Sequence, residues 1–313
     1  MRIFGGISQI VSAECTTSAQ RGNNMQKQTA YSRTDLAVEQ TGAAESYPGI
    51  TVRERGSAFR ITDITIDSDA HGAVIGRGKG RYLTLETADL HHVTPQLREQ
   101  ASELADELRQ FIPEGAVLVA GLGNADITPD AIGPETAGRI LATRHLRREL
   151  SDNAPETAFL RELRQVSVLA NGVLGQTGIE TAELISALRQ TVEPACVIAI
   201  DALACSDLRR LGTTVQISDA GISPGSGVRN SRAELSQRTL GIPVIAVGVP
   251  TVVDLHTVIM QAADGHADLQ AVPNMMVTPR NIDELLHHAA RLLALSLNLA
   301  LHPQLSYEDA EAL

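Results

Sequence analysis

Beyond residue 94 the apolar positions of this chain alternate between two rhythms. Leu97, Ala101, Leu104, Ala105 and Leu108 recur at helical spacing, behind a pair in which Thr94 can cap the helix and Pro95 takes its first position. Val117 to Ala120 is then a continuous apolar run, the pattern of a strand covered on both faces. Thr128-Pro129 opens a second helix, and Val166 to Leu169 is the next strand. Thr177-Gly-Ile-Glu180 has the spacing of a capping box, with Glu180 reaching back to the cap. Further strands are expected at Val197 to Ile200, Thr214 to Ile217 and Val244 to Val249, and a last helix, apolar on most faces, from Thr278-Pro279 to about Leu301. Ahead of this region, Tyr47 to Glu86 is strand-rich. Ile61, Ile64 and Ile66 sit among Thr and Asp, Gly76 to Gly80 turns the chain, and Tyr82 to Leu85 is strand-like. The alternation predicts an α/β fold, a mostly parallel central sheet flanked by helices, with a small strand-rich subdomain at about 47–86.

Composition narrows the picture. The 313 residues are 43% hydrophobic but only 3% aromatic, with no Trp, so the core must be aliphatic. A net charge of −11 opposes a polynucleotide partner, which needs phosphate neutralisation by Lys and Arg. Cys15, Cys196 and Cys205 show neither metal-ligand spacing nor a disulfide framework, and Cys196 reads as a small buried hydrophobe in a reducing compartment. No apolar run approaches the roughly 18–20 residues of a membrane helix, and the first 30 residues lack the pattern of a signal peptide. Thr16 to Thr29 is polar and expected to be mobile. Residues 1–31 therefore read as an extension ahead of one domain at 32–313, and Met25 is an alternative start of translation.

Ligands of open α/β sheets gather where strands lead into loops at their carboxyl ends. The strand through Val119 runs into Gly121-Leu122-Gly123-Asn124 and then Thr128-Pro129-Asp130, while the strand Val197 to Ile200 is expected to end on Asp201. In one parallel sheet, Asp130 and Asp201 share an edge. Two converging carboxyls can hydrolyse a peptide through water, one ionised to deprotonate it, one protonated to supply a proton. Each also admits a structural role, Asp130 as a helix-dipole partner and Asp201 as an acceptor for loop amides. Ser218-Asp219 leads into a Gly-rich loop, Gly221 to Gly227, that can offer amides to an oxyanion or can be a plain turn. Ser226 lacks the strand–turn–helix elbow of a serine hydrolase. Gly121-Leu-Gly123 lacks the third glycine of a dinucleotide loop. The adjacent pair His287-His288 points apart on a helix, so no metal and no cofactor are assigned.

These motifs resemble the germination proteases of spore-forming bacteria. The likeness is carried by Arg33-Thr-Asp-Leu-Ala-Val-Glu39, Gly121-Leu-Gly-Asn124, Thr128-Pro-Asp-Ala-Ile-Gly-Pro134, Thr177-Gly-Ile-Glu-Thr181 and Ala199-Ile-Asp-Ala-Leu-Ala204. It continues through Gln216-Ile-Ser-Asp219, Pro224-Gly-Ser-Gly227, Leu240-Gly-Ile-Pro-Val244, Gly248-Val-Pro-Thr-Val-Val-Asp254, Val277-Thr-Pro279 and Ala300-Leu-His-Pro303. The resemblance implies a fold like that of hydrogenase-maturation peptidases. It also implies a homotetrameric peptidase of the spore core, acting on small acid-soluble spore proteins without membrane or nucleic acid. Its essential aspartates correspond to Asp130 and Asp201, with Asn124, Asp219, Gly225, Ser226 and Asp254 as binding or supporting residues. It implies a zymogen, cut in the region Gln28, Thr29, Ala30, Tyr31, Ser32. The chain departs from its relatives at Ser223, where His is frequent, and at Arg229, where Gly is frequent. The 32 residues before Arg33 also exceed the expected propeptide. Alternatives are a nickel-assisted hydrogenase-maturation-type endopeptidase, which needs a third ligand such as His, and a non-catalytic spore-protein-binding oligomer.

Overall fold

A computed structural model describes residues 34–41, 47–92, 94–146, 158–225, 232–269 and 271–313. Among them, nine strands form one sheet: β1 (Ile50–Arg55), β2 (Arg60–Ile66), β3 (Gly80–Glu86), β4 (Val117–Gly121), β5 (Val166–Leu169), β6 (Cys196–Cys205), β7 (Thr214–Ser218), β8 (Val244–Asp254) and β9 (Met276–Val277). The order is β1-β2-β3-β7-β8-β6-β4-β5, with β9 on β8. Parallel pairing joins β5, β4, β6 and β8, as the alternation predicts. From β8 outward through β7, β3, β2 and β1 every pairing is antiparallel, so the sheet is mixed. The strand-rich segment thus extends the central sheet, through β3 on β7.

The longer helices are α1 (Leu97–Arg109), α2 (Ile132–Ala137), α3 (Thr181–Val192), α4 (Leu255–Ala262) and α5 (Ile282–Leu301). Alternate strand residues supply two cores. Val117, Val119, Ile198, Ile200, Val215 and Val247 pack with Leu104 and Leu108 of α1 and Leu293 and Leu297 of α5. Leu118, Ala120, Val197 and Ala199 face the opposite side with Ile185 of α3. Burial on both faces is why β4, and β6 as far as Ile200, read as unbroken aliphatic runs.

Three expected helix starts move. Residues 95–96 form a turn closed by Leu97 N to Thr94 O (3.1 Å), so α1 begins two residues after Pro95. The Thr177–Glu180 capping box is absent. Gly178, at φ 71°, ends a one-turn helix (Leu174–Thr177), and α3 starts separately after Glu180, which makes no side-chain cap. Thr278 does not open α5, because Met276–Val277 pairs with β8 and the Thr278 hydroxyl donates to Thr251 O (2.9 Å). Among the described residues no helix is long and apolar enough to cross a membrane.

Candidate active site

The site forms where β4 stops and β6 continues. The last β4–β6 pair is Gly121↔Ile200, whereas β6 stays paired with β8 to Cys205↔Val253. Asp201 therefore lies within a ten-residue strand, correcting the expected strand end, because β8 supports it beyond the end of β4. Past Gly121 the chain turns at Gly123, whose φ is +106°; a Cβ there would sit 2.0 Å from the Asp130 carbonyl. This close approach brings the loop amides to Asp130. Asn124 N donates to Asp130 Oδ2 (2.8 Å), and the Thr251 hydroxyl ties the Thr128–Asp130 turn to β8 through Pro129 O (2.7 Å).

Asp130 and Asp201 line one cavity of about 310 Å³, together with Leu122, Leu203, Ile222 and Val252. Among the described residues its charged wall is formed by Asp35, Asp130, Asp201 and Arg232. Asp201 is only 5% exposed. Burial first, and then the charge of Asp130, push its carboxyl well above the usual range, Asp35 adding to the effect. The Ala202 N–H, 3.0 Å from Oδ1, and Arg232 pull the other way. Half-buried Asp130 is also raised, by burial, while the Asn124 amide and Arg232 oppose the rise. Both carboxyls are thus biased toward holding a proton, most strongly at the more deeply buried Asp201.

Of the residues expected to bind or support, Asn124 holds Asp130 through its backbone amide, and its Oδ1 accepts from Asp126 N (2.9 Å) and Gln176 Nε2 (2.8 Å). Gly225 lines the cavity beside Ser223 and Pro224. Asp219 and Asp254 do not line it. Asp219 Oδ1 accepts from Arg81 N (2.6 Å), and Asp254 Oδ1 from Asn274 Nδ2 (3.0 Å). Ser226, Arg229 and the region Gln28, Thr29, Ala30, Tyr31, Ser32 lie outside the described residues. Among the described residues, no three His, Cys, Asp or Glu side chains gather as a metal site. Cys196 is buried, and that burial pushes its thiol up to about 12.

Sequence reasoning does not single out Asp35 or Arg232. Asp35 reaches the cavity because its amide donates to Ala204 O and its Oδ2 accepts from Ala204 N, both at 2.8 Å. Its only signal in the sequence is a place inside the Arg33–Glu39 motif. Arg232 follows the Gly-rich loop without any motif of its own.

The family model described as germination protease matches residues 27–266. A germination protease of Caldanaerobacter subterraneus subsp. tengcongensis is 38% identical, covering 90% of this chain and 97% of the relative. Those of Clostridium tetani (35% identical) and Bacillus subtilis (34%) each cover 88% of this chain, and 97% and 95% of their own length. Among solved structures, the NiFe hydrogenase maturation protease HycI of Thermococcus kodakarensis is 18% identical, with a TM-score of 0.34, over 61% of this chain and 98% of that one.

Proposed function

The chain belongs to the germination protease family, and from that premise we propose an endopeptidase that begins the degradation of small acid-soluble spore proteins in the germinating spore core. The reading includes a homotetramer and a zymogen that cuts itself between Gln28 and Ser32. Asp130 and Asp201 are its catalytic pair. The observation that carries this reading is that both line one cavity with unequal hold on their protons.

In the proposed reaction, ionised Asp130 takes a proton from a water whose oxygen attacks the scissile carbonyl carbon. Asp201 gives its proton to the carbonyl oxygen, so the tetrahedral intermediate forms without an isolated charge. On collapse the C–N bond breaks. Asp130 passes its proton to the leaving amine, and Asp201 recovers one from the hydroxyl as the carboxyl product forms. Both carboxyls return to their starting states. The apolar walls at Leu122, Leu203 and Val252 exclude bulk water from these transfers.

The test is incubation with a small acid-soluble spore protein, followed by mass spectrometry. Cleavage at a few defined sites by the parent, and none by Asp130→Asn or Asp201→Asn, is expected. Near-parental cleavage by either variant removes that residue from the mechanism, and binding without cleavage by the parent overturns the peptidase reading.

A further inference from the structure

Among the described residues, three carboxyls, Asp35, Asp130 and Asp201, line the cavity against one cation, Arg232. Arg232 is unlike the other partly buried arginines of the fold. Arg77 holds Gln40 and Thr34 O, Arg81 holds Asp63, Arg164 holds Pro113 O, and Arg210 pairs with Glu86. Among the described residues the Arg232 guanidinium makes no ion pair or hydrogen bond, while its backbone is firmly placed. Its N–H donates to Pro224 O (3.2 Å), and two bonds between Ile222 and Leu235 (2.9 and 2.8 Å) close the same neck. An arginine anchored by its main chain, with its fork of donors unspent at the wall of a largely apolar cavity, is equipped to meet an anion there.

We propose that Arg232 is a catalytic residue, its guanidinium offsetting the single negative charge that passes from Asp130 to the scissile carbonyl oxygen. The proposal rests on the hydrolytic reading of the Asp130–Asp201 pair. The logic is a charge balance. Before attack the negative charge sits on Asp130; as the water proton moves to Asp130, charge develops on the substrate oxygen until Asp201 delivers its proton. A cation lining the same cavity as both aspartates stabilises the charge throughout its transfer, and does so strongly where water is excluded. The electrostatics agree in direction, since Arg232 lowers the pKa of both aspartates while Asp35 and burial act against it at Asp201.

The test compares Arg232→Gln and Arg232→Lys with the parent on two synthetic peptides, one with Glu and one with Gln beside the scissile bond. Thermal melting checks folding, and the Lys variant carries the test where Gln fails to fold. Arg232→Gln is expected to lower kcat on both peptides by about 10²–10³-fold with KM little changed. It should also move the acid limb of the kcat/KM profile to higher pH, because Asp130 loses the cation that keeps it ionised. Arg232→Lys should recover part of the rate and of the shift. A near-parental kcat in folded Arg232→Gln overturns the proposal, as does a loss confined to KM on the Glu peptide, which would make Arg232 a recognition residue for acidic side chains. Asp130→Asn runs alongside. If it stays active the hydrolytic reading itself fails, whereas an inactive Asp130→Asn with an active Arg232→Gln defeats this proposal alone.

Discussion

An uncharged Asp201 has a thermodynamic signature that can be measured without any substrate. Unfolded, its carboxyl titrates near the ordinary 3.8; folded, it titrates well above that value. Below the unfolded value both states hold the proton and the residue favours the native state fully. As pH climbs toward the native value the unfolded chain alone loses its proton, and the native state forfeits about 1.4 kcal/mol per pH unit. Asparagine cannot ionise and keeps an oxygen for the Ala202 amide. Asp201→Asn should therefore match the parent below about pH 4 and become progressively more stable above it. Urea midpoints over a pH series provide the check; parallel profiles would mean that native Asp201 is ionised and that the proton comes from another group. The same two carboxyls, facing Asp35 and Arg232, shape activity. Cleavage should rise as pH passes the raised pKa of Asp130 and fall as it passes the higher one of Asp201. A parent profile without an alkaline limb would mean that the proton is supplied by a group other than Asp201.

At the scale of elements, the site depends on how closely α2 sits on the sheet. A Cβ at Gly133 would lie 2.2 Å from Leu122 O and 2.4 Å from Ile200 O, both backbone atoms that cannot swing aside. Gly133→Ala must lift α2, and with it the turn carrying Asp130. A loss of about 1–3 kcal/mol in denaturant unfolding is expected, with a fall in kcat. Gly175→Ala, with nothing within 4 Å, is the contrast and should be nearly silent. This geometry shows what a sequence can and cannot disclose. Buried strands β4, β6 and β8 are legible because both faces demand aliphatic side chains, and from them the shared edge of Asp130 and Asp201 follows. The full length of β6 is not legible, because it is β8, brought alongside by folding, that pairs past Asp201. Nor is the direction of β7, since the alternation Thr214-Val-Gln-Ile-Ser218 looks the same either way. Helix starts mislead where a tertiary partner claims the capping residue, as Thr251 O claims the Thr278 hydroxyl. Arg232 stays hidden because cavity walls are assembled from segments remote in sequence.

Across the whole molecule, the segment that follows the proposed processing region is stitched to the sheet beside the cavity. Asp35 is paired with Ala204 through its amide and its carboxylate, and its carbonyl accepts from Gln216 Nε2 (2.9 Å). Ala37 N donates to Gln216 Oε1 (2.8 Å). Glu39 accepts from Ser206 N and Oγ, both at 2.6 Å, and from Asp207 N (2.9 Å). Leu36 is fully buried among Leu203, Cys205 and Val253. A cut between Gln28 and Ser32 falls ahead of every residue that makes these bonds. Processing should thus raise activity without loosening the fold. A chain beginning at Ser32 is expected to cleave spore protein faster than the full-length chain while melting within a few degrees of it. Glu39→Ala in the shortened chain should lower the melting point, because charge-assisted bonds from two partly buried residues are lost at about 1.5–3 kcal/mol each before relaxation. Mild acidification followed by N-terminal sequencing of the parent and of Asp130→Asn identifies the agent. Shortening in the parent alone indicates self-processing by the same carboxyl pair, and shortening in both indicates an outside protease. Equal cleavage rates for the full-length and shortened chains would show that the leading segment does not inhibit.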